Sequence, residues 1–100
     1  MLRIIRVAGD SLSPKYEEGD FVVVATVPFF FNSIRLGDII VFQHPVYGRM
    51  IKQIESISSD GSDLYVIGSH PNSVDSRQFG PIPRTSIQGK VVWHIPRPRS

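Results

Sequence analysis

Six short apolar runs, rich in Val, Ile, Phe and Tyr, follow one another at residues 4–7, 21–27, 38–42, 49–57, 64–67 and 89–95. Each is bounded by Gly, Pro, Asp or Ser, the residues that punctuate strands. No window carries a 3.6-residue period. The best helical stretches are single turns at 13–17 and 84–87, the first opening on Ser13-Pro14, an N-cap followed by proline at the first helical position. Turn signals recur at Glu18-Gly19-Asp20, Leu36-Gly37-Asp38, Tyr47-Gly48, Asp60-Gly61-Ser62 and Gly80-Pro81, and the link 58–63 reads as a hairpin. The pattern predicts a mainly β fold, a small coiled or closed antiparallel β-structure with one or two single-turn helices.

Composition narrows this picture. One hundred residues, 41% hydrophobic and 20% charged, suit a single domain over residues 1–100 with one modest core. The net charge of +2 comes with no basic stripe and no interleaved aromatics, so nucleic acid is not an expected partner. The chain has no cysteine, which excludes disulfides, a thiol nucleophile and any cysteine-based metal site. His44, His70 and His94 lack metal-ligand spacing and read as ordinary surface or rim residues. No metal or organic cofactor is implied. No run of 18 apolar residues occurs, so no transmembrane helix is expected in this chain. Arg3 and Arg6 interrupt the N-terminus, leaving no secretory signal. A location in the cytoplasm or peripheral to a membrane follows; the oligomeric state is left open.

Three stretches carry candidate chemistry. Gly9-Asp10-Ser11-Leu12-Ser13-Pro14 places a serine in a tight turn directly after an apolar run. Such a turn lifts a hydroxyl out of a sheet and turns backbone N–H groups toward whatever it attacks. In Met50-Ile51-Lys52-Gln53-Ile54, strand alternation puts Met50, Lys52 and Ile54 on one face. An ammonium there is costly unless paired or neutral. Of the three lysines, Lys15 sits in a polar turn and Lys90 faces away from Val91, which leaves Lys52 as the best candidate base. The third stretch, residues 68–80, is a long polar loop in which Asp75 and Arg77 can form charge-assisted bonds. Each has a plainer reading: Ser11 as a turn residue, Lys52 reaching past its neighbours to solvent, and 68–80 as a surface loop.

Taken together, five blocks resemble the catalytic core of the type I signal peptidase family, within the wider Ser-Lys clan that includes the self-cleaving SOS repressors. They are Gly-Asp-Ser-Leu-Ser-Pro at 9–14, Gly-Asp-Phe-Val-Val-Val at 19–24, Arg-Leu-Gly-Asp-Ile-Ile-Val-Phe at 35–42, Met-Ile-Lys-Gln-Ile at 50–54 and Asn-Ser-Val-Asp-Ser-Arg-Gln-Phe-Gly at 72–80. The last block favours the signal peptidase side. The resemblance implies Ser11 as nucleophile, Lys52 as general base, Ser73 as the hydroxyl that orients the lysine, and Asp75 with Arg77 as the pair that holds the loop. Gly9 stands where some members carry a hydroxyl that assists the oxyanion hole. Leu12 replaces the usual methionine, a change of similar volume. The family's membrane helix and large accessory β-domain have no counterpart here, and in this the chain resembles the small maturation proteases associated with nickel-type superoxide dismutase.

The expected activity is a serine endopeptidase that processes a precursor by cutting a signal peptide or a maturation pro-sequence, with an extended polypeptide bound along a sheet edge. A non-catalytic β-module that binds an extended peptide, or a membrane-peripheral domain, is the alternative. Phe29, Phe30 and Phe31 cannot all face one core from a strand. They read as irregular core packing, the lip of a substrate groove, or a weak membrane contact.

Overall fold

The computed structural model describes residues 1–8, 16–26, 34–69, 71 and 73–96. Seven strands account for most of them: β1 (Leu2–Arg6), β2 (Phe21–Thr26), β3 (Ile39–His44), β4 (Gly48–Ile57), β5 (Asp63–Ile67), β6 (Ile82–Pro83) and β7 (Ile87–Ile95). A one-turn helix, α1 (Ser76–Phe79), precedes β6, and a 3₁₀ turn (Arg84–Ser86) precedes β7. These strands join one antiparallel sheet in the order β1-β2-β7-β3-β4-β5-β6. β1 and β6 form its two edges.

Alternation along the strands divides the buried residues between two cores. Ile40, Phe42, Ile54, Leu64, Val66, Ile82 and Ile87 pack on one side, with Phe79 of α1 against them. Ile5, Val22, Val24, Ile39 and Val41 pack on the other, with Tyr16. β3 divides them: its first four residues are all buried, alternating between the two cores. β7 joins the halves, pairing with β2 along one edge and with β3 along the other. The register shifts between Val23 and Val24, between Val41 and Phe42, and between Ile54 and Ser56. Irregularities of this kind increase local twist and let a sheet coil.

Two glycines matter to this path. Gly48, with φ +75°, closes the β3–β4 hairpin in a conformation that side chains disfavour. Gly89 lies where β7 passes between β2 and β3, and a Cβ there would meet Val24 Cγ1 at 2.2 Å and the Ala25 carbonyl oxygen at 2.9 Å. The backbones approach this closely only because residue 89 has no side chain.

Candidate active site

Lys52 lies directly across from Ile40 in the β3–β4 ladder, and Met50 is paired in the same way with Phe42. The two partners are fully buried, as is the neighbouring Ile54. Lys52 itself is only 3% exposed, so its amine is inside the structure and does not reach past Met50 and Ile54 to bulk water. It is not isolated: Lys52 has a polar partner, and among the described residues no buried side-chain nitrogen or oxygen lacks one. Lys90, by contrast, is partly exposed and bridges to Asp38 Oδ2 at 3.2 Å.

The segment after β5 is held against the end of that strand by side chains acting in place of a strand. β6 is two residues long and pairs with Asp63 and Leu64. Further along β5, side chains take over its work on the backbone donors. Ser76 Oγ accepts from the Val66 N–H at 2.8 Å, and Asp75 Oδ2 accepts from the Gly68 N–H at 2.8 Å. Asp75 and Ser76 are buried because they satisfy backbone donors that would otherwise be orphaned.

Asp75 is the hub of this segment. As N-cap of α1 it accepts from the Arg77 N–H at 3.0 Å, while its own N–H donates to Gln78 Oε1 at 2.8 Å, a complete capping box. The Arg77 guanidinium adds bonds of 2.9 Å to Oδ1 and 2.7 Å to Oδ2, the two-pronged geometry that favours arginine over lysine. Burial alone would push the Asp75 carboxyl up. The Arg77 side chain, the Gly68 N–H and the Arg77 N–H outweigh it and hold the carboxyl at about 2. Ile67, one residue before Gly68, is the register partner of Gln53. The clamp on Gly68 therefore holds residues 75 and 76 to the end of β5, the strand next to the one that carries Lys52. Ser73 is buried and has a polar partner.

The segment that contains Ser11 is closed at its base. The Val7 N–H donates to the Asp20 carbonyl at 2.7 Å, and the Gly19 N–H donates back to the Val7 carbonyl at 2.9 Å. Gly9, Ser11, Leu12 and the first part of the 13–17 turn lie outside the described residues, as do Phe29, Phe30 and Phe31. Among the described residues, Asp75 and Arg77 are paired, Lys52 and Ser73 are each buried with a polar partner, and both ends of the Ser11 segment are in place.

Two features are new relative to the sequence. His94, read as a rim residue, places Nε2 2.7 Å from Oδ2 of the buried Asp20, with its ring against Tyr16 at a centroid distance of 4.5 Å. A pair 74 positions apart has no local signature. His44 is structural, since its Nδ1 accepts from the N–H groups of Val46 and Tyr47 and stiffens the β3–β4 hairpin. The 68–80 loop also contains α1, which the Asp-Ser-Arg-Gln capping box could have signalled.

Comparison with known proteins completes this picture. The family model described as Peptidase S24-like matches residues 1–92. Mitochondrial inner membrane protease subunit 1 of Mus musculus is 26% identical over 113 residues, covering 92% of this chain and 68% of that protein, and its Homo sapiens counterpart gives the same figures. Mitochondrial ATP-independent inner membrane protease subunit 1b of Arabidopsis thaliana is 29% identical over 111 residues, covering 87% of this chain and 66% of that protein. The chain thus spans about two thirds of the length of these relatives.

Proposed function

Since the chain belongs to the Peptidase S24-like family, we propose that it is a serine endopeptidase that processes a precursor protein through Ser11 and Lys52. The observation that carries this reading is a lysine 3% exposed on an apolar sheet face, with a charge-clamped segment held at the end of the neighbouring strand. A purely binding module has no use for such a costly group. Relatives described as inner membrane protease subunits support the same signal-peptidase-like role.

In this mechanism the low-dielectric site favours the neutral amine of Lys52. Lys52 Nζ takes the proton from Ser11 Oγ, and Oγ attacks the scissile carbonyl carbon. The negative charge on the carbonyl oxygen is stabilised by backbone donors, the Ser11 N–H among them, since Gly9 offers no side-chain donor. The Lys52 ammonium returns its proton to the leaving amine, and the acyl-enzyme forms. Water, deprotonated by Lys52, then attacks the ester carbon; the bond to Ser11 Oγ breaks, Oγ regains the proton from the Lys52 ammonium, and the second product leaves as a carboxylic acid. Ser73 orients the amine, and Asp75 with Arg77 fixes the segment that presents Ser73. The substrate is an extended polypeptide with small side chains next to the cut, as the likeness to signal peptidases implies, and residues 1–100 act as one catalytic domain.

The domain works against a membrane surface. Among the described residues no helix is long and apolar enough to cross a membrane. One face of β1, β2 and β7 presents Leu2, Ile4, Phe21, Trp93 and Ile95 to solvent, with Arg6 in register beside Phe21. Apolar and aromatic groups flanked by arginine suit a lipid interface, and Phe29, Phe30 and Phe31 extend the apolar content in the sequence.

The test is a pH–rate profile on a library of peptides with small residues at the cut. Ser11→Ala and Lys52→Ala each lower kcat/KM by about 10³-fold or more, and the double variant is scarcely worse because the residues act as one unit. The wild-type rate rises with pH, since the reaction needs the neutral amine. Near-full activity of Lys52→Ala would assign the base to another group. A wild type that cleaves neither the library nor proteins in a lysate would leave a non-catalytic peptide-binding module. N-terminal proteomics of cells with and without Ser11→Ala identifies the precursor and separates signal peptides from maturation pro-sequences.

A further inference from the structure

We propose that His94, acting through Asp20 and Tyr16, is a positioning residue for the turn that carries Ser11. The inference rests on Ser11 being the nucleophile and adds a residue outside the five sequence blocks.

The chain leaves β1 at Val7 and returns at Gly19 and Asp20, where two backbone hydrogen bonds close the base of the excursion. A closed base does not by itself fix what lies within it. Here the returning limb is secured three more times. The Asp20 N–H donates to the Glu17 carbonyl at 3.0 Å, and Asp20 Oδ2 accepts from the Glu17 N–H at 3.0 Å. The same Oδ2 meets His94 Nε2 at 2.7 Å. The His94 ring then lies against Tyr16, five residues after Ser11, at a centroid distance of 4.5 Å and an interplanar angle of 46°.

The anchor on the far side is rigid. His94 pairs with Val22 in the β2–β7 ladder, and Val22 is fully buried. Asp20 is 1% exposed and Tyr16 is 8% exposed, so the contacts that hold the limb are largely shielded from water. Burial also pushes the Tyr16 phenol up. A charge-assisted bond to a shielded carboxylate has few competing geometries and transmits position well. The mechanism needs such a device, because a nucleophile displaced by ~1 Å can lose about 10²-fold in rate.

Two substitutions separate the bond from the packing. His94→Phe keeps a ring against Tyr16 and removes the donor. A cleft of about 340 Å³ lined by Tyr16, Val91, Val92, Trp93 and His94 leaves room for the larger ring. His94→Gln keeps a side-chain N–H able to reach Asp20. In the full chain, amide hydrogen exchange is followed by NMR at Val7, Glu17, Gly19 and Asp20, with Ile40 and Ile51 as distant references. Steady-state kcat and KM are measured alongside.

In the His94→Phe variant the four collar amides exchange roughly tenfold faster or more while the references stay unchanged. Its kcat falls by about 10- to 100-fold with KM nearly constant, and His94→Gln restores both readouts. Unchanged collar exchange overturns the proposal whatever the activity does. Faster collar exchange with wild-type kcat also overturns it, because the collar would then hold something other than the nucleophile. A wild type that turns over no substrate removes the peptidase reading and this proposal with it. The exchange data separate that case from a collar that never depended on His94.

Discussion

Asp75 shows how one carboxylate serves stability and, in the proposed mechanism, the site as well. Its native pKa of about 2 lies below the ordinary 3.8, so the folded chain gives up this proton more readily than the unfolded one. The resulting stabilisation, about 2 kcal/mol for a shift of this size, is complete above pH 3.8 and is lost as the pH falls toward 2. Acid denaturation followed by circular dichroism therefore shows a steep loss of stability in that window, and Asp75→Asn flattens it. At neutral pH the same substitution lowers stability by about 1–3 kcal/mol, because the buried carboxylate that binds the Gly68 and Arg77 N–H groups and the half-exposed Arg77 guanidinium is lost. It lowers activity as well, since the segment bearing Ser73 loses its anchor. Ser76→Ala leaves the Val66 N–H unsatisfied and costs about 1–3 kcal/mol. Chemical denaturation checks both values.

The strands were legible in the sequence where they were long and bounded by turn residues. β2, β4, β5 and β7 fall on expected runs within a residue or two, and the 3₁₀ turn Arg84–Ser86 falls within the expected 84–87. Two elements had no such signature. β6 is only Ile82 and Pro83, too short to alternate. α1 spans one turn in a polar stretch, and its identity rests on capping bonds, not on an apolar stripe. Within the site, Lys52 was readable because a lone cation broke an apolar face. Asp75 and Arg77 were readable from their spacing within one motif. His94 and Asp20 were not, since strands distant in sequence bring them together. The close approach of β2 and β7 is equally hidden: Gly89 looks like any strand-edge glycine until the Val24 and Ala25 contacts are seen. Gly89→Ala must push the two backbones apart, and thermal unfolding is expected to show a loss of about 1–3 kcal/mol or more.

The sheet leaves one broad apolar face in water, and Trp93, 67% exposed, is the only tryptophan in the chain. Its fluorescence is therefore a direct reporter of that face. Vesicles containing anionic lipid shift the emission to the blue if the face meets a membrane, and Ile4→Ser weakens the shift. Emission that ignores vesicles would remove the lipid surface from the proposed role. A last consequence comes from β7, whose two edges bond to different halves of the sheet. Separating either half therefore breaks hydrogen bonds of β7 and bares one of the two cores to water. A peptidase that reads extended polypeptide is surrounded by copies of itself, and each copy is a potential meal for its neighbour. Turns and edge strands open at low cost, whereas the central strands come within reach only through larger openings. The survival of those central strands in the protein's own company then tracks the free energy of that opening.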